Sequence, residues 1–453
     1  MASVLKLSRG ATDLTLSPTR AATGLSVYSW VPRVATPLSG RVPGTLVETM
    51  RIREQNTSHD NIATDLQALH DMQRWAADYM ADQAWGTPVY LYSQTSAETG
   101  GRRALVRRID MMFDSHWWGA AAENSKVLAA ELAIEREPYW EATAQVAPTA
   151  STGIDTIGGT AAFTTIPGDV PARLWYTQFY GVNGGGGPID TFWAGVRSNN
   201  KHGTASNLVP VWTCRTATLG TDTASAVDAA ADDGNTAECS FATVTTWADR
   251  VTRRVDSLTN PTQQDGRFLV LLRAKVGAAT TAEVRLKTGW AGGGIYHTQA
   301  PVSISSTDYQ YYELGIFTAP PQRVDSSFNF DTLATILNAR RTSGSNSLYM
   351  DCLVMIPIDE GFIKLAGGYV QYVAADERPT YAIRQPEGLL QAYSYTGGDP
   401  YRVPTISEYN WYLPPGTGIF VFAAQRASVQ TKTDTFNFAY QYFARWLSLR
   451  GGD

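Results

Sequence analysis

The stretch Thr435-Phe-Asn-Phe-Ala-Tyr-Gln-Tyr-Phe-Ala-Arg-Trp-Leu-Ser-Leu449 carries rings at Phe436, Phe438, Tyr440 and Tyr442, with Asn437, Ala439 and Gln441 between them. Strict period-two spacing puts every ring on one face of a strand and every small or polar group on the other, which a helix of about 3.6 residues per turn cannot do. The chain therefore closes on a β-strand. Just upstream, Leu413-Pro-Pro-Gly-Thr-Gly418 reads as a turn and Ile419-Phe-Val-Phe422 as a second strand. The C-terminus thus predicts a pair of neighbouring strands with one aromatic face to bury. Residues 1 to 145 are the expected source of the covering sheet.

Composition supports a β-rich reading. In 453 residues, hydrophobic side chains make up 43 %, ample for a core, whereas charged ones make up only 17 %. Gly (39), Tyr (22) and Trp (13) are abundant, as in sheet proteins with many turns. The length predicts roughly two to four domains. A net charge of −5, with no basic run, argues against a nucleic-acid binder that works by neutralising phosphates, and no sequence-specific nucleic-acid partner is expected. The N-terminus lacks the apolar run of a secretory signal, and no stretch of about 18 apolar residues suggests membrane insertion. A soluble protein without a Sec signal is expected. Cys214, Cys239 and Cys352 are too few and too scattered for a disulfide framework or a cysteine zinc site. Cys214 and Cys239 flank a loop-like stretch and a bond between them stays open, with free buried thiols the preferred reading.

Residues 1 to 150 form one block. Strand-like runs at Val4 to Leu7, Leu14 to Leu16, Leu25 to Val31 and Thr45 to Arg53 lead to an amphipathic helix from Asn61 to about Asp82. There Ile62, Leu66, Leu69, Met72, Ala76 and Met80 recur at threes and fours. Thr57 and Asp60 resemble a capping box, and Asn56-Thr-Ser58 is read as capping, not as a glycosylation sequon. Strands follow at Val89 to Tyr92, Ala104 to Phe113 and Ser125 to Glu137. In the last, Leu128, Leu132 and Ile134 share a core face, while Glu131, Glu135 and Glu137 line a face that is wet or meets another subunit.

From 151 to 361 the texture changes to short alternating strands between Gly, Asn, Asp and Thr, which predicts a two-sheet antiparallel sandwich, a jelly roll. Residues 362 to 453 are too thin in apolar strands to stand alone, so they are expected to return and complete the first domain. The fold expected is mainly β: a sandwich with one amphipathic helix plus an inserted antiparallel jelly roll.

Catalytic signatures are absent from the sequence. The five histidines show no metal-binding spacing, and neither Gly-x-Ser-x-Gly nor a P-loop occurs. The expectation is no enzyme, no cofactor and no metal. Glu131 with Glu135, or Asp359 with Glu360, would be the acid pairs of a glycan-active enzyme. A solvated strand face and a charged turn account for both. The stronger signal is a binding surface. Rings beside amides and carboxylates hold sugars by apolar stacking and a few hydrogen bonds. Trp193, Trp290, Tyr296 and His297 are the glycan-binding candidates, the last three in or beside the Gly-rich segment 289–297. Core packing is the competing role for each ring. Leu128, Leu132, Ile134, Phe436, Phe438, Tyr440 and Tyr442 are assigned to sheet packing or oligomer contact.

In this order of parts the chain resembles phage tail proteins of the distal-tail or minor-tail class. The resemblance lies in the N-terminal strand and helix series ending in Glu135-Arg-Glu-Pro-Tyr-Trp140, and in Leu413-Pro-Pro-Gly-Thr417 with Tyr440-Gln-Tyr-Phe-Ala-Arg-Trp446. The middle, with Pro171-Ala-Arg-Leu-Trp175, Phe192-Trp-Ala-Gly-Val-Arg197 and Tyr349-Met-Asp-Cys-Leu-Val-Met-Ile-Pro357, is similar to jelly-roll modules of prophage tail proteins and carbohydrate-binding modules. It departs from the usual layout, in which a smaller galectin-like domain follows the ring domain. The resemblance implies a tail-tube-like domain that packs into a homo-oligomeric ring, commonly a hexamer, around a DNA channel. It further implies other tail proteins as partners, a module facing host surface polysaccharide during adsorption, and a virion assembled in the host cytoplasm. A stand-alone carbohydrate-binding protein is the alternative.

Overall fold

The computed structural model describes residues 2–17, 23–33, 44–81, 87–95, 100–113, 127–144, 146, 149–183, 189–199, 208–241, 246–254, 266–290, 294–319, 333–370, 380–384, 391–396, 399–402, 405–426 and 432–447. Within them the protein is mainly β, with antiparallel sheets and one long helix. Three large hydrophobic cores organise the chain.

The first core lies in a small barrel. Its strands follow the path Thr12–Thr15, Ala2–Arg9, Tyr90–Thr95, Arg102–Phe113, Val127–Arg136, Leu46–Gln55 and Gly24–Trp30, every pairing antiparallel. The path closes on itself where Ser17, just past the first of these, bridges Ser26 in the last: the Ser17 N–H donates to the Leu25 carbonyl and the Val27 N–H to the Ser17 carbonyl, each 2.8 Å. Closure removes the free edges that an open sheet would present. Period two sends Met50, Ile52, Leu132 and Ile134 inward, and the helix His59–Ala81 adds Leu69, Met72 and Ala76 to the same core. The cap is Ser58, one residue later than the sequence predicts, its Oγ accepting the Asn61 N–H at 3.2 Å. At one end Arg136 and Glu48 pair at 2.6 Å, both fully buried. Glu48 also accepts the Trp30 indole N–H at 3.0 Å, and the Arg136 guanidinium lies 4.4 Å from the Trp140 ring centre, so neither charge is left bare.

The closing strand Thr435–Trp446 does not find its cover in residues 1 to 145. It pairs with Val170–Asn183 and Thr149–Asp155, and this sheet faces a second one ordered Ile157–Ile166, Gly416–Arg426, Ile189–Ser198, Gly361–Val370, Thr405–Asn410. The two C-terminal strands, expected as neighbours, lie in opposite sheets and meet through their rings. Phe438 packs on Phe420 at 4.7 Å and on Phe422 at 4.8 Å between centroids, while Phe179 stacks on Phe192 at 4.8 Å. The physical reason is that both strands are apolar on matching faces, and pairing them edge to edge would have left those faces open. The opening block touches the closing strand through Trp140–Ala142, which pairs with Arg102–Phe113 on one side and with Thr435–Trp446 on the other. There Glu141 holds Arg103 at 3.2 Å and Arg445 at 3.3 Å.

The third core fills a two-sheet antiparallel sandwich. One sheet runs Thr223–Val227, Asn235–Cys239, Leu348–Pro357, Gly266–Val276, Gln310–Ala319; the other runs Thr218–Leu219, Ala248–Arg254, Leu333–Ser343, Thr281–Trp290, Ile295–Thr298. Because 149–198 pairs with the C-terminal strands, the excursion begins after Ser198 and not at 151. The chain leaves and returns through adjacent strands, Val196 lying opposite Gly361. At the neck Glu360 accepts both the Ser198 N–H and, at 2.7 Å, its hydroxyl. Cys214, Cys239 and Cys352 are free and buried in this core.

Two outcomes test the packing. Phe438→Ala should destabilise the sandwich that holds it by about 3–5 kcal/mol, read as an earlier denaturant transition; a loss under about 1 kcal/mol would contradict the ring stack as its main tie. Burial pushes the Glu54 carboxyl, on the barrel wall, up to about 8, and Asp65 of the helix adds to the rise. Between pH 4.5 and about 8 the folded barrel then binds more protons than the unfolded chain, so its stability falls as pH rises through that window. Glu54→Gln should raise the melting temperature at pH 8 and flatten its pH dependence; an unchanged pH profile would refute the assignment.

Candidate functional site

The site is built by strand alternation in the second sheet of the inserted sandwich. In Thr281–Trp290, Ala282, Val284 and Leu286 are fully buried, which turns Glu283, Arg285 and Lys287 to the outer face. Leu337 and Ala339 in the next strand do the same for Asn338 and Arg340. Register then sets Asp249 opposite Asn338, Asn338 opposite Arg285, and Arg340 opposite Glu283. Three strands thereby contribute one polar row.

That row is hydrogen-bonded in two groups, with one indole beside both. Lys287 Nζ reaches Asp249 Oδ1 at 2.7 Å, Asn338 Nδ2 donates to the same oxygen at 2.5 Å, and Arg285 Nε donates to Asn338 Oδ1 at 2.8 Å. Arg340 pairs with Glu283 at 2.7 Å. Trp247, just before the Ala248–Arg254 strand, places its ring 4.1 Å from the Arg285 guanidinium carbon and 4.7 Å from that of Arg340. Cations against an indole face are attracted by its quadrupole, so ring and guanidinium hold one another in place. Asn338 is only 2 % exposed; its amide is the hinge pin of the row.

The sequence-predicted residues are dispersed. Trp193 is buried against the inserted sandwich, with its indole N–H donating to Glu313 at 2.8 Å, and is no solvent platform. His297 is exposed on the Ile295–Thr298 edge strand, opposite Thr288. Trp290 and Tyr296 continue the same sheet, but their side chains lie outside the described residues. Leu132 and Ile134 are buried in the barrel and Leu128 is half-buried on the same strand; Phe436, Phe438, Tyr440 and Tyr442 are buried in the second core. Of the acid pairs, Glu131 sits 3.8 Å from Arg51, Asp359 accepts the Arg267 N–H at 2.7 Å, and Glu360 holds the neck. Sequence reasoning missed Trp247, Asp249 and Asn338; the alternation Glu283-x-Arg285-x-Lys287 was the one visible cue.

Among the described residues no group of three or more His, Cys, Asp or Glu is placed to hold a metal ion, and no helix is long and apolar enough to cross a membrane. No protein-family model matches the chain, and no curated protein matches it.

Removing the Asn338 amide leaves Arg285 Nε without its acceptor and Asp249 with Lys287 as its remaining donor. Asn338→Ala should cost about 1–3 kcal/mol in denaturant unfolding of the inserted sandwich; a neutral result would show that the row is not a coupled network.

Proposed function

We propose that this chain is a structural protein of a phage tail, of the distal-tail or minor-tail class. Its barrel would pack with copies of itself into a ring around the DNA channel, and its inserted sandwich would project toward host surface glycans. The observation that carries this reading is the order of bodies: a closed barrel with one helix, then a compact sandwich, with the large module looped out of that sandwich at Ser198 and Glu360. A smaller sandwich after the ring domain is what the resemblance implies. Treating the large module as an insertion into it, and not as the second domain, removes the departure from that layout.

Two further features support the reading. The barrel's outer wall across Leu46–Gln55, Val127–Arg136 and Arg102–Phe113 sets Glu131 opposite Arg51 and Glu135 opposite Arg108, and leaves Val47 and Met112 41 % and 64 % exposed. A mixed-charge surface with apolar positions suits side-by-side contact between identical copies. The acidic net charge of −5 suits a channel that must not grip DNA.

Light scattering and negative-stain electron microscopy of the full chain test it. Ring-shaped particles, expected as hexamers, are the predicted outcome. A monodisperse monomer at high micromolar concentration, absent from purified virions, would refute the tail reading and leave a stand-alone carbohydrate-binding protein.

A further inference from the structure

The outer face built on Trp247 offers donors that no described residue uses. Arg285 is tied down through Nε alone, to Asn338 at 2.8 Å, and its two terminal nitrogens have no acceptor among the described residues. The guanidinium is nevertheless fixed. Asn338 holds it at one edge, the Trp247 ring lies 4.1 Å away, and Asp249 and Lys287 lock Asn338 in turn. Arg340 differs, since its Nε and Nη2 are both spent on Glu283 at 2.7 Å.

A planar guanidinium with both terminal NH2 groups open is the natural partner of a carboxylate or phosphate, gripped in two parallel hydrogen bonds. Holding it in advance lowers the entropy lost on binding. Charge narrows the choice. Lys287 and Arg340 are matched by Asp249 and Glu283, so among the described residues of the row Arg285 is the cation left unbalanced. One spare positive charge fits a monoanion, not a phosphomonoester of nearly two charges. The indole beside it supplies apolar surface for a ring.

We propose that this face is a binding subsite for a carboxylated saccharide, a uronic-acid unit of a surface polysaccharide, whose carboxylate takes the open fork of Arg285 while its sugar ring lies against Trp247. The proposal rests on the reading that the inserted sandwich meets host glycans.

Isothermal titration of the full chain with hexasaccharides of glucuronate, galacturonate and guluronate, each beside its carboxyl-reduced neutral counterpart, tests it. At least one uronate is expected to bind, with the reduced form and the Arg285→Gln variant each weaker by roughly tenfold or more. Arg285→Lys should fail to restore affinity, because an ammonium lacks the fork, and circular dichroism checks that both variants are folded. Uronate and neutral forms binding alike, or Arg285→Gln binding as the parent does, would overturn the subsite while leaving glycan contact standing. Silence toward all six sugars would overturn the subsite and its glycan premise together, and particle size would still judge the ring separately.

Discussion

The two central strands of one sheet have no solvent face, and the layers on either side of them follow from it. In Gly416–Arg426 the residues Phe420, Phe422 and Ala424 point into the aromatic core, while Ile419, Val421 and Ala423 point into the core of the inserted sandwich. The neighbouring strand repeats the arrangement, with Phe192, Ala194 and Val196 to one side and Trp193 to the other. A strand apolar on both faces is stable only between two covers. The closing aromatic strand supplies one cover and the inserted sandwich the other. Gly195 marks the close approach on that second side, where any Cβ would collide with the Pro357 carbonyl.

Apolar packing alone would let the inserted sandwich slide on this sheet, and polar contacts fix its register. Tyr311 donates its hydroxyl to the Thr156 carbonyl at 3.1 Å and its backbone N–H to Gln425 at 2.7 Å. Glu313 takes both the Trp193 indole at 2.8 Å and Lys364 at 2.5 Å. Tyr311, Gln425 and Trp193 are buried at the seam, and a shift of one residue would leave their polar groups unsatisfied, which penalises alternative docking. Behind the seam Asp351 is paired with Arg273, both fully buried. Burial still pushes that carboxyl up to about 6 against the pull of the guanidinium. Such a pair contributes specificity of arrangement more than net stability.

Local structure was legible in the sequence wherever one face was apolar and the other polar. The barrel strands, the helix with Leu69, Met72 and Ala76, and the closing strand all follow from period alone. Pairing was not legible. The rings of Phe436 to Tyr442 announce that a cover is needed, but any apolar face of the right width answers that need. Nothing local says that Ile157–Ile166 and Gly416–Arg426 share a sheet. The polar row failed for the same reason. Asp249, Arg285 and Asn338 each look like an ordinary solvated strand position, and they become a cluster only when register sets them side by side.

The rigid seam bears on what a weak subsite can do. A single guanidinium fork on an open sheet face would bury little of the proposed ligand, so each copy alone would bind it loosely. If copies stood in the proposed ring, they would present identical faces at fixed spacing, and a polysaccharide with a repeating unit would meet several of them at once. The second and later contacts would then be intramolecular, and their effective concentration would depend on how well the spacing is kept. A module on a flexible tether would blur that spacing. One clamped by Glu360 at its neck and by Tyr311, Glu313 and Trp193 along its flank keeps it, so the same buried sheet that organises the fold would also set the spacing of any repeated attachment.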